Sequence, residues 1–168
     1  MINEELLAEN QAEGGDQDYT TERNKPMPNR IHGSIQSDLI FLLRSKYNEQ
    51  FDFPAEVTLD TQPASTPDIL VYPKKRLDRK EIQAKEPEMP ITTIEILSPS
   101  QSIEELADKA WDIYFPAGVQ SAWLVIPALK AVHVLLPGGK DLYFNAGMLK
   151  DPATGIEISV ERIFERLV

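Results

Sequence analysis

The stretch ITTIEILSPS, residues 91–100, predicts a strand that is buried on both faces. Its first seven residues are β-branched or apolar with one interruption, which is typical of the central strand of a sheet that is covered by helices on both sides. The interruption is Glu95. Because an ionised carboxylate without a partner costs several kcal/mol in an apolar environment, Glu95 needs a compensating group.

A second apolar run, in STPDILVYP (residues 65–73), also carries a single carboxylate, Asp68. The proline-rich turn before it and its apolar residues predict a strand next to the one that contains Glu95. Asp after Pro is common at turns, and a buried glutamate can be satisfied by a partner in the core. Alternatively, carboxylates on adjacent strands can converge on a hard cation such as Mg²⁺, which prefers oxygen ligands. The residues alone leave both interpretations open.

The segment after Glu95 predicts a helix that carries one lysine towards the sheet. From Ser102 to about Phe115 apolar residues recur on one face, and PAGV ends the pattern. Lys109 lies at the border of that face, so its ammonium could reach back to the carboxylates. The alternative is a surface lysine whose alkyl stem covers apolar neighbours. Beside a phosphate, a lysine would orient the attacking water and offset the charge that develops on phosphorus.

The remaining segments complete a mixed α/β pattern. Asn29 is a candidate N-cap for an amphipathic helix that extends to about Tyr47, with apolar residues at steps of three and four. FDFPAEVTLD predicts a strand at about 53–59, and QSAWLVIP and AVHVLLP predict a hairpin. GIEISVERIFERL predicts a final strand and a short helix. The expected fold is a mixed β-sheet flanked by helices.

Length and composition predict one domain. The chain has 168 residues, of which 42% are hydrophobic, enough for a substantial core. We expect an acidic N-terminal arm at residues 1–20 and a single domain at residues 21–168. The absence of cysteine excludes disulfides, thiol catalysis and Cys-ligated zinc. Since no apolar stretch is long enough for a membrane helix and the N-terminus does not resemble a signal peptide, we expect a cytoplasmic protein with no membrane partner.

Charge is distributed unevenly along the chain. The formal net charge is −10, which argues against a surface that attracts nucleic acid everywhere. The loop KKRLDRKEIQAK (residues 74–85) nevertheless holds six basic residues shortly after Asp68. Lys74, Lys75 and Arg76 are therefore candidate DNA contacts, although a solvated surface loop could have the same composition.

The chain resembles the Uma family of restriction-endonuclease-like proteins, within the PD-(D/E)XK nuclease superfamily. The resemblance covers roughly residues 19–137 and rests on PDILVY, PITTIEILSPS, SIEELADKAWDIYFPAGV and SAWLVIP, with weaker matches in YTTERNKPMP and IHGSIQSDLIFLL. It implies a restriction-endonuclease-like α/β fold and a DNA endonuclease that depends on Mg²⁺ or Mn²⁺. It also implies that Asp68 and Glu95 bind the metal ion and that Lys109 is the catalytic lysine.

The sequence departs from the superfamily's pattern at one position. Two residues after Glu95, where the wider superfamily places a lysine, the residue is Leu97. In proteins similar to this one the following helix is thought to supply the lysine, which favours Lys109. Glu22, at a family-like position, is a further candidate acid. Two functions remain open: a metal-dependent endonuclease that acts on DNA as a homodimer, and a non-catalytic DNA-binding or protein-interaction module with a degenerate site.

The histidines and the large aromatic residues have structural interpretations. His32, near a helix start, is interpreted as a solvated or capping residue, and His133 as a surface or satisfied strand residue. Without cysteine, and with these two histidines far apart in sequence, a zinc hydrolase has little support. Trp111, Tyr114 and Trp123 are interpreted as core or dimer-interface residues.

Overall fold

A six-stranded mixed sheet organises residues 26–168, the part of the chain that the computed structural model describes. Its strands are β1 (Phe51–Asp52), β2 (Ile69–Pro73), β3 (Thr92–Ile96), β4 (Ser121–Ile126), β5 (Ala131–Leu136) and β6 (Lys140–Phe144). They lie side by side in the order of the sequence. Every neighbouring pair is antiparallel except β3 and β4, which are parallel and are connected by a helical crossover.

Helices cover both faces of the sheet. They are α1 (Arg30–Tyr47), α2 (Ile103–Lys109) and α3 (Val160–Ile163), and a separate antiparallel pair is formed by β7 (Met148–Lys150) and β8 (Glu157–Ser159). One apolar core lies between the sheet and the layer made by α1, α3, β7 and β8. A second core lies on the other face, beneath α2 and the turn that follows it. This arrangement confirms the expected mixed sheet flanked by helices. None of the helices described in residues 26–168 is long and apolar enough to cross a membrane.

The central strand β3 is buried along its whole length, as its β-branched sequence predicts. Alternation of side chains sends Ile94 and Ile96 into the core beneath α1. Glu95 therefore points to the opposite face, where α2 packs. The register between β2 and β3 pairs Ile69 with Ile94, and its continuation sets Asp68 opposite Glu95.

Both longer helices begin after a capping side chain, of which Asn29 was predicted. Asn29 accepts a hydrogen bond from the backbone N–H of His32 at 2.9 Å, and Ser102 accepts one from Glu105 at 3.1 Å. The helix after β3 extends about as far as predicted, but its geometry changes at Ala110. From Ala110 to Tyr114 the backbone is a π-helix, since the N–H of Phe115 bonds to the carbonyl of Ala110, five residues earlier.

The predicted strand at 53–59 is wrong. β1 ends at Asp52, before this segment, and the residues that follow make only isolated bridges at Ala55 and Leu59. Pro54 has no N–H to donate, and Glu56 adopts a left-handed backbone with φ 55°, so a continuous ladder cannot form. Two strands, β6 and β7, were not predicted; both are short, and most of their residues are exposed.

A third buried carboxylate, Asp151, ties the C-terminal segment to the sheet. Its Oδ2 accepts hydrogen bonds from Trp123 Nε1 at 2.8 Å, Ser121 Oγ at 2.7 Å and Thr92 Oγ1 at 3.2 Å. Its Oδ1 accepts one from the backbone N–H of Ala153 at 2.8 Å. Asp151 is thus a structural carboxylate that accepts hydrogen bonds from four donors.

Replacing Asp151 with alanine is expected to lower the free energy of unfolding by about 3 kcal/mol or more, because buried donors on Trp123 and Ser121 lose their acceptor. Urea denaturation measures the change. The matched control is Asp141→Ala, which removes a half-exposed carboxylate that contacts His133 on the sheet surface and is expected to cost at most about 1 kcal/mol. Equal costs for the two variants would contradict a structural role for Asp151.

Candidate nuclease site

The candidate site lies where β2 begins and β3 ends. Asp68 directly precedes β2, and Glu95 is the fourth residue of β3. Residues that face each other on antiparallel strands project to the same side, with Cβ atoms about 4.5–5.5 Å apart. The side chains are almost completely buried, with 0% exposure for Asp68 and 2% for Glu95. Strand register therefore sets two carboxylate residues side by side in a buried region.

Donors from β3 and α1 hold Asp68. Its Oδ2 accepts a hydrogen bond from the backbone N–H of Ile96 at 2.7 Å and lies 3.1 Å from Nε2 of His32. Its backbone carbonyl accepts a hydrogen bond from Nε2 of Gln36 at 2.8 Å. His32 and Gln36 are one helical turn apart, so they lie on the same face of α1. The first turns of α1 thus contact both the side chain and the backbone of Asp68.

The aromatic residue Tyr114, in the π-helical segment after α2, holds Glu95. Its hydroxyl donates a hydrogen bond to Oε1 of Glu95 at 2.7 Å and lies 2.8 Å from Oγ of Ser65. Because the tyrosine proton is donated to Glu95, Ser65 is the donor to the tyrosine oxygen. Burial raises the pKa of Tyr114 well above its usual value, and the charge of Glu95 raises it further. Tyr114 therefore stays protonated and keeps its role as a donor.

The π-helix changes which residues share a face at the end of this helical segment. Lys109 is the last residue of α2, and Tyr114 follows five residues later. A hydrogen bond that spans five residues instead of four widens the turn, so residues five apart come closer to one face than they would in an α-helix. Lys109 is half-buried at this junction. Short π-helical segments are frequent at functional sites for this reason.

The donor chemistry fits a hard divalent cation. The two buried carboxylates offer oxygen ligands, which Mg²⁺ and Mn²⁺ prefer. Within residues 26–168 no cluster of three His, Cys, Asp or Glu side chains has the spacing of a metal site. Two protein carboxylates are nonetheless enough for Mg²⁺, which usually retains several waters in proteins. The additional candidate acid, Glu22, lies outside the described residues.

Comparison with known proteins agrees with this fold. The family described as "Uma2: Putative restriction endonuclease" matches residues 18–164. The chain belongs to the Uma2 family. A similar solved structure is a protein of Anabaena variabilis described as a putative nuclease belonging to DUF820. It shares 26% sequence identity and a TM-score of 0.71 over 85% of each chain. No significant match was found among the curated proteins.

The candidate DNA contacts lie away from the carboxylates of this Uma2 protein. Lys74 and Lys75 line a cleft of about 680 Å³ between the end of α1 and the basic loop, and neither Asp68 nor Glu95 lines it. Within the cleft region, Nζ of Lys74 lies 3.2 Å from Asp52, and Nζ of Lys75 lies 2.8 Å from Glu88. Both lysines are therefore already paired with acids. Arg76 is exposed on the same loop.

The interpretation of His32 as a solvated residue is wrong. Its side chain is 4% exposed and contacts Asp68, although its backbone does take part in the N-cap. The buried face of α1 consists of His32, Ile35, Leu39 and Leu43. The neighbouring Ile31, although apolar, is 50% exposed. The steps of three and four from His32 to Leu43 are the signal that could have identified a buried histidine.

The structural interpretations of His133 and Trp123 agree with the structure. His133 is half-buried on β5, with Nδ1 2.8 Å from Asp141, and Trp123 is a fully buried core residue. Tyr114 is also a core residue, but it has a polar role that its spacing does not show. Its partner Ser65, like Gln36 beside Asp68, gave no signal, because each polar contact joins residues more than 30 positions apart.

Replacing Tyr114 with phenylalanine is expected to lower the free energy of unfolding by about 1–3 kcal/mol, because Glu95 loses a buried donor and Ser65 a buried acceptor. Thermal or urea unfolding measures this loss. In a double-mutant cycle, Ser65→Ala and Tyr114→Phe should be non-additive by about 0.5 kcal/mol or more, since they remove parts of one network. The control is Tyr143→Phe, which alters a half-exposed hydroxyl elsewhere. Additive losses would contradict the network.

Proposed function

We propose that this protein is a metal-dependent DNA endonuclease that hydrolyses phosphodiester bonds. In this proposal Asp68 and Glu95 hold Mg²⁺ or Mn²⁺, and Lys109 assists the attack of water. The observation that carries the proposal is the pair of buried carboxylates that face each other across β2 and β3. The name of the family and the description of the Anabaena protein support a nuclease.

Each proposed role follows from the chemistry of the side chain. A bound divalent cation would supply Lewis-acid polarisation of a phosphate oxygen. Asp68 and Glu95 would fix its position, and the donors from His32 and Tyr114 would keep the carboxylates in place. The ammonium of Lys109 would orient the attacking water and offset the negative charge that grows on phosphorus. The oxygen of water forms a new bond to phosphorus and the water loses a proton. The bond between phosphorus and the leaving sugar oxygen breaks, and that oxygen takes up a proton.

The position of Leu97 supports the assignment of Lys109. Leu97 packs against the core beneath α2, and its backbone N–H bonds to the carbonyl of Val125 at 2.9 Å. A lysine at position 97 would have to extend its ammonium group beyond these apolar neighbours to reach a polar environment. Lys109, on the helix that covers this same core, is a cation whose helix packs on the face to which Glu95 points.

The alternative is a non-catalytic module that binds DNA or protein through the same fold. It is favoured by the net charge of −10 and by the ion pairs of Lys74 and Lys75, which reduce the basic character of the candidate DNA surface. Such a module would keep Asp68 and Glu95 as structural carboxylates, comparable to Asp151. The two functions differ in whether a divalent cation binds the protein, stabilises it and supports cleavage of DNA.

Asp68→Asn, Glu95→Gln and Lys109→Ala are each expected to abolish nicking of plasmid DNA in Mg²⁺ or Mn²⁺. The two carboxylate variants should also lose the stabilisation that added metal gives the parent protein, about 2.7 kcal/mol at one hundred times the dissociation constant. Gel electrophoresis and thermal unfolding measure these effects. Asp141→Asn is the control. Because the proposed enzyme acts as a homodimer, linear plasmid should accumulate beside nicked circles.

Without metal, Asp68→Asn and Glu95→Gln are expected to leave thermal stability equal or higher, because each substitution removes repulsion between adjacent carboxylates. Activity and stability should thus change in opposite directions. Substantial destabilisation of both variants, in a parent that does not respond to metal, would instead favour the non-catalytic module.

Neutralising Lys74, Lys75 and Arg76 to glutamine is expected to weaken DNA binding and to flatten its salt dependence by roughly one unit of slope per lost phosphate contact. Fluorescence anisotropy across salt concentrations measures the slope. Lys150→Gln is a matched control, since Lys150 is also an exposed lysine near an acid, 3.5 Å from Glu157 on β8. An unchanged slope in the triple variant would remove the loop from the DNA surface.

A further inference from the structure

The histidine on the buried face of α1 is more costly there than an apolar residue would be. Nδ1 of His32 is buried and has no hydrogen-bond partner among the described residues. An unsatisfied buried polar atom costs about 1–3 kcal/mol. The neighbouring positions of the same stripe, Ile35, Leu39 and Leu43, are aliphatic. A leucine at position 32 would continue that stripe without the cost, so core packing alone does not account for a histidine.

The contact of the other ring nitrogen, Nε2, accounts for a histidine at position 32. Nε2 lies 3.1 Å from Oδ2 of Asp68, and this oxygen also accepts the 2.7 Å hydrogen bond from Ile96. Since Oδ2 is an acceptor, Nε2 carries the proton of this bond. Two donors on one oxygen, one from β3 and one from α1, fix the rotation of the carboxylate.

The backbone of the same residue is held from the same helix. Gln36, one turn after His32, donates to the carbonyl of Asp68 at 2.8 Å, and the N–H of Glu56 donates to it at 3.2 Å. The helix begins at a firm position, because Asn29 caps it directly at the backbone of His32. The imidazole ring of His32 therefore projects from a rigid helix, which holds Nε2 within hydrogen-bonding distance of Asp68.

We propose that His32 is a positioning residue that orients the Asp68 carboxylate for a divalent cation. The inference rests on the proposed function, because it assigns His32 to the same site. His32 acts through Asp68 and does not ligate the metal itself. Partners that orient metal ligands in this way typically change metal affinity or activity by about 10–100-fold when they are removed.

The test compares His32→Leu with His32→Gln in the full-length protein. Leucine fills the buried position without a donor, whereas the amide nitrogen of glutamine can occupy roughly the place of Nε2 and donate to Asp68. The readouts are Mn²⁺ affinity by calorimetry, plasmid nicking, apo stability, and the NMR resonance of the Ile96 amide, which reports the orientation of Asp68 without metal or DNA. His133→Leu is the control, since it alters the other histidine.

His32→Leu is expected to weaken Mn²⁺ binding by about 10–100-fold, to lower the rate of nicking, and to move the Ile96 amide resonance as its bond to Asp68 changes. Apo stability should change little, because removal of the unsatisfied Nδ1 offsets the loss of the Nε2 donor to Asp68. His32→Gln should restore most of the Mn²⁺ affinity and the parent Ile96 resonance. A merely structural histidine would instead show a clear loss of apo stability with unchanged metal affinity.

Failure of this inference is distinguishable from failure of the proposed function. If the parent binds Mn²⁺ and nicks DNA while His32→Leu changes neither the affinity nor the Ile96 resonance, the inference is overturned and the function stands. If the parent neither binds Mn²⁺ nor nicks DNA, the proposed function fails, and with it the role of His32 in metal binding. Direct nitrogen coupling from His32 in the pulsed EPR spectrum of the Mn²⁺-loaded protein would also overturn the inference, because His32 would then be a ligand.

Discussion

The antiparallel register of β2 and β3 sets two buried carboxylates opposite each other, and much of the surrounding structure compensates for them. Both side chains project to the face that α2 covers, but their donors come from two different helical segments. Asp68 is held from the start of α1, through His32, and Glu95 from the π-helical segment after α2, through Tyr114. The two helices that cover the sheet are thus connected to one end of it by polar contacts as well as by packing.

The opposite end of β3 shows what a purely structural carboxylate looks like in this fold. Asp151 accepts from Thr92, the first residue of β3, and from two residues of β4, and it fixes a loop. Its donors lie on β3, on β4 and in its own loop, and within residues 26–168 strand register sets no second carboxylate against it. Asp68 and Glu95 have a different arrangement, in which strand register sets two buried carboxylates opposite each other. This pairing is the physical reason for our proposal that this end of the sheet is functional.

The parts of the fold and site that the sequence predicts are those encoded by local pattern. The β-branched run around Glu95, the Pro-Asp turn before β2 and the capped helix starts each depend on neighbours within a few positions. The predicted strand at 53–59 failed because a proline and a left-handed residue interrupt a plausible apolar pattern. The contacts of His32 and Tyr114 could not be predicted, since they depend on how helices dock across the sheet. For His32 the spacing was informative, but Ile31 next to it has the stronger apolar signal.

The separation of the basic loop from the carboxylates constrains how this protein can engage DNA. Long-range repulsion from a net charge of −10 is screened beyond about 8 Å at physiological salt, so close contacts decide the affinity. A phosphate that takes over Lys74 or Lys75 must compete with Asp52 or Glu88 and leave that acid without its partner. Each such contact therefore contributes less than one made by an unpaired lysine. A divalent cation between Asp68 and Glu95 would offset both carboxylates at the point where a phosphate must approach. In the proposed enzyme, metal binding and DNA binding are consequently coupled, with each increasing the affinity for the other.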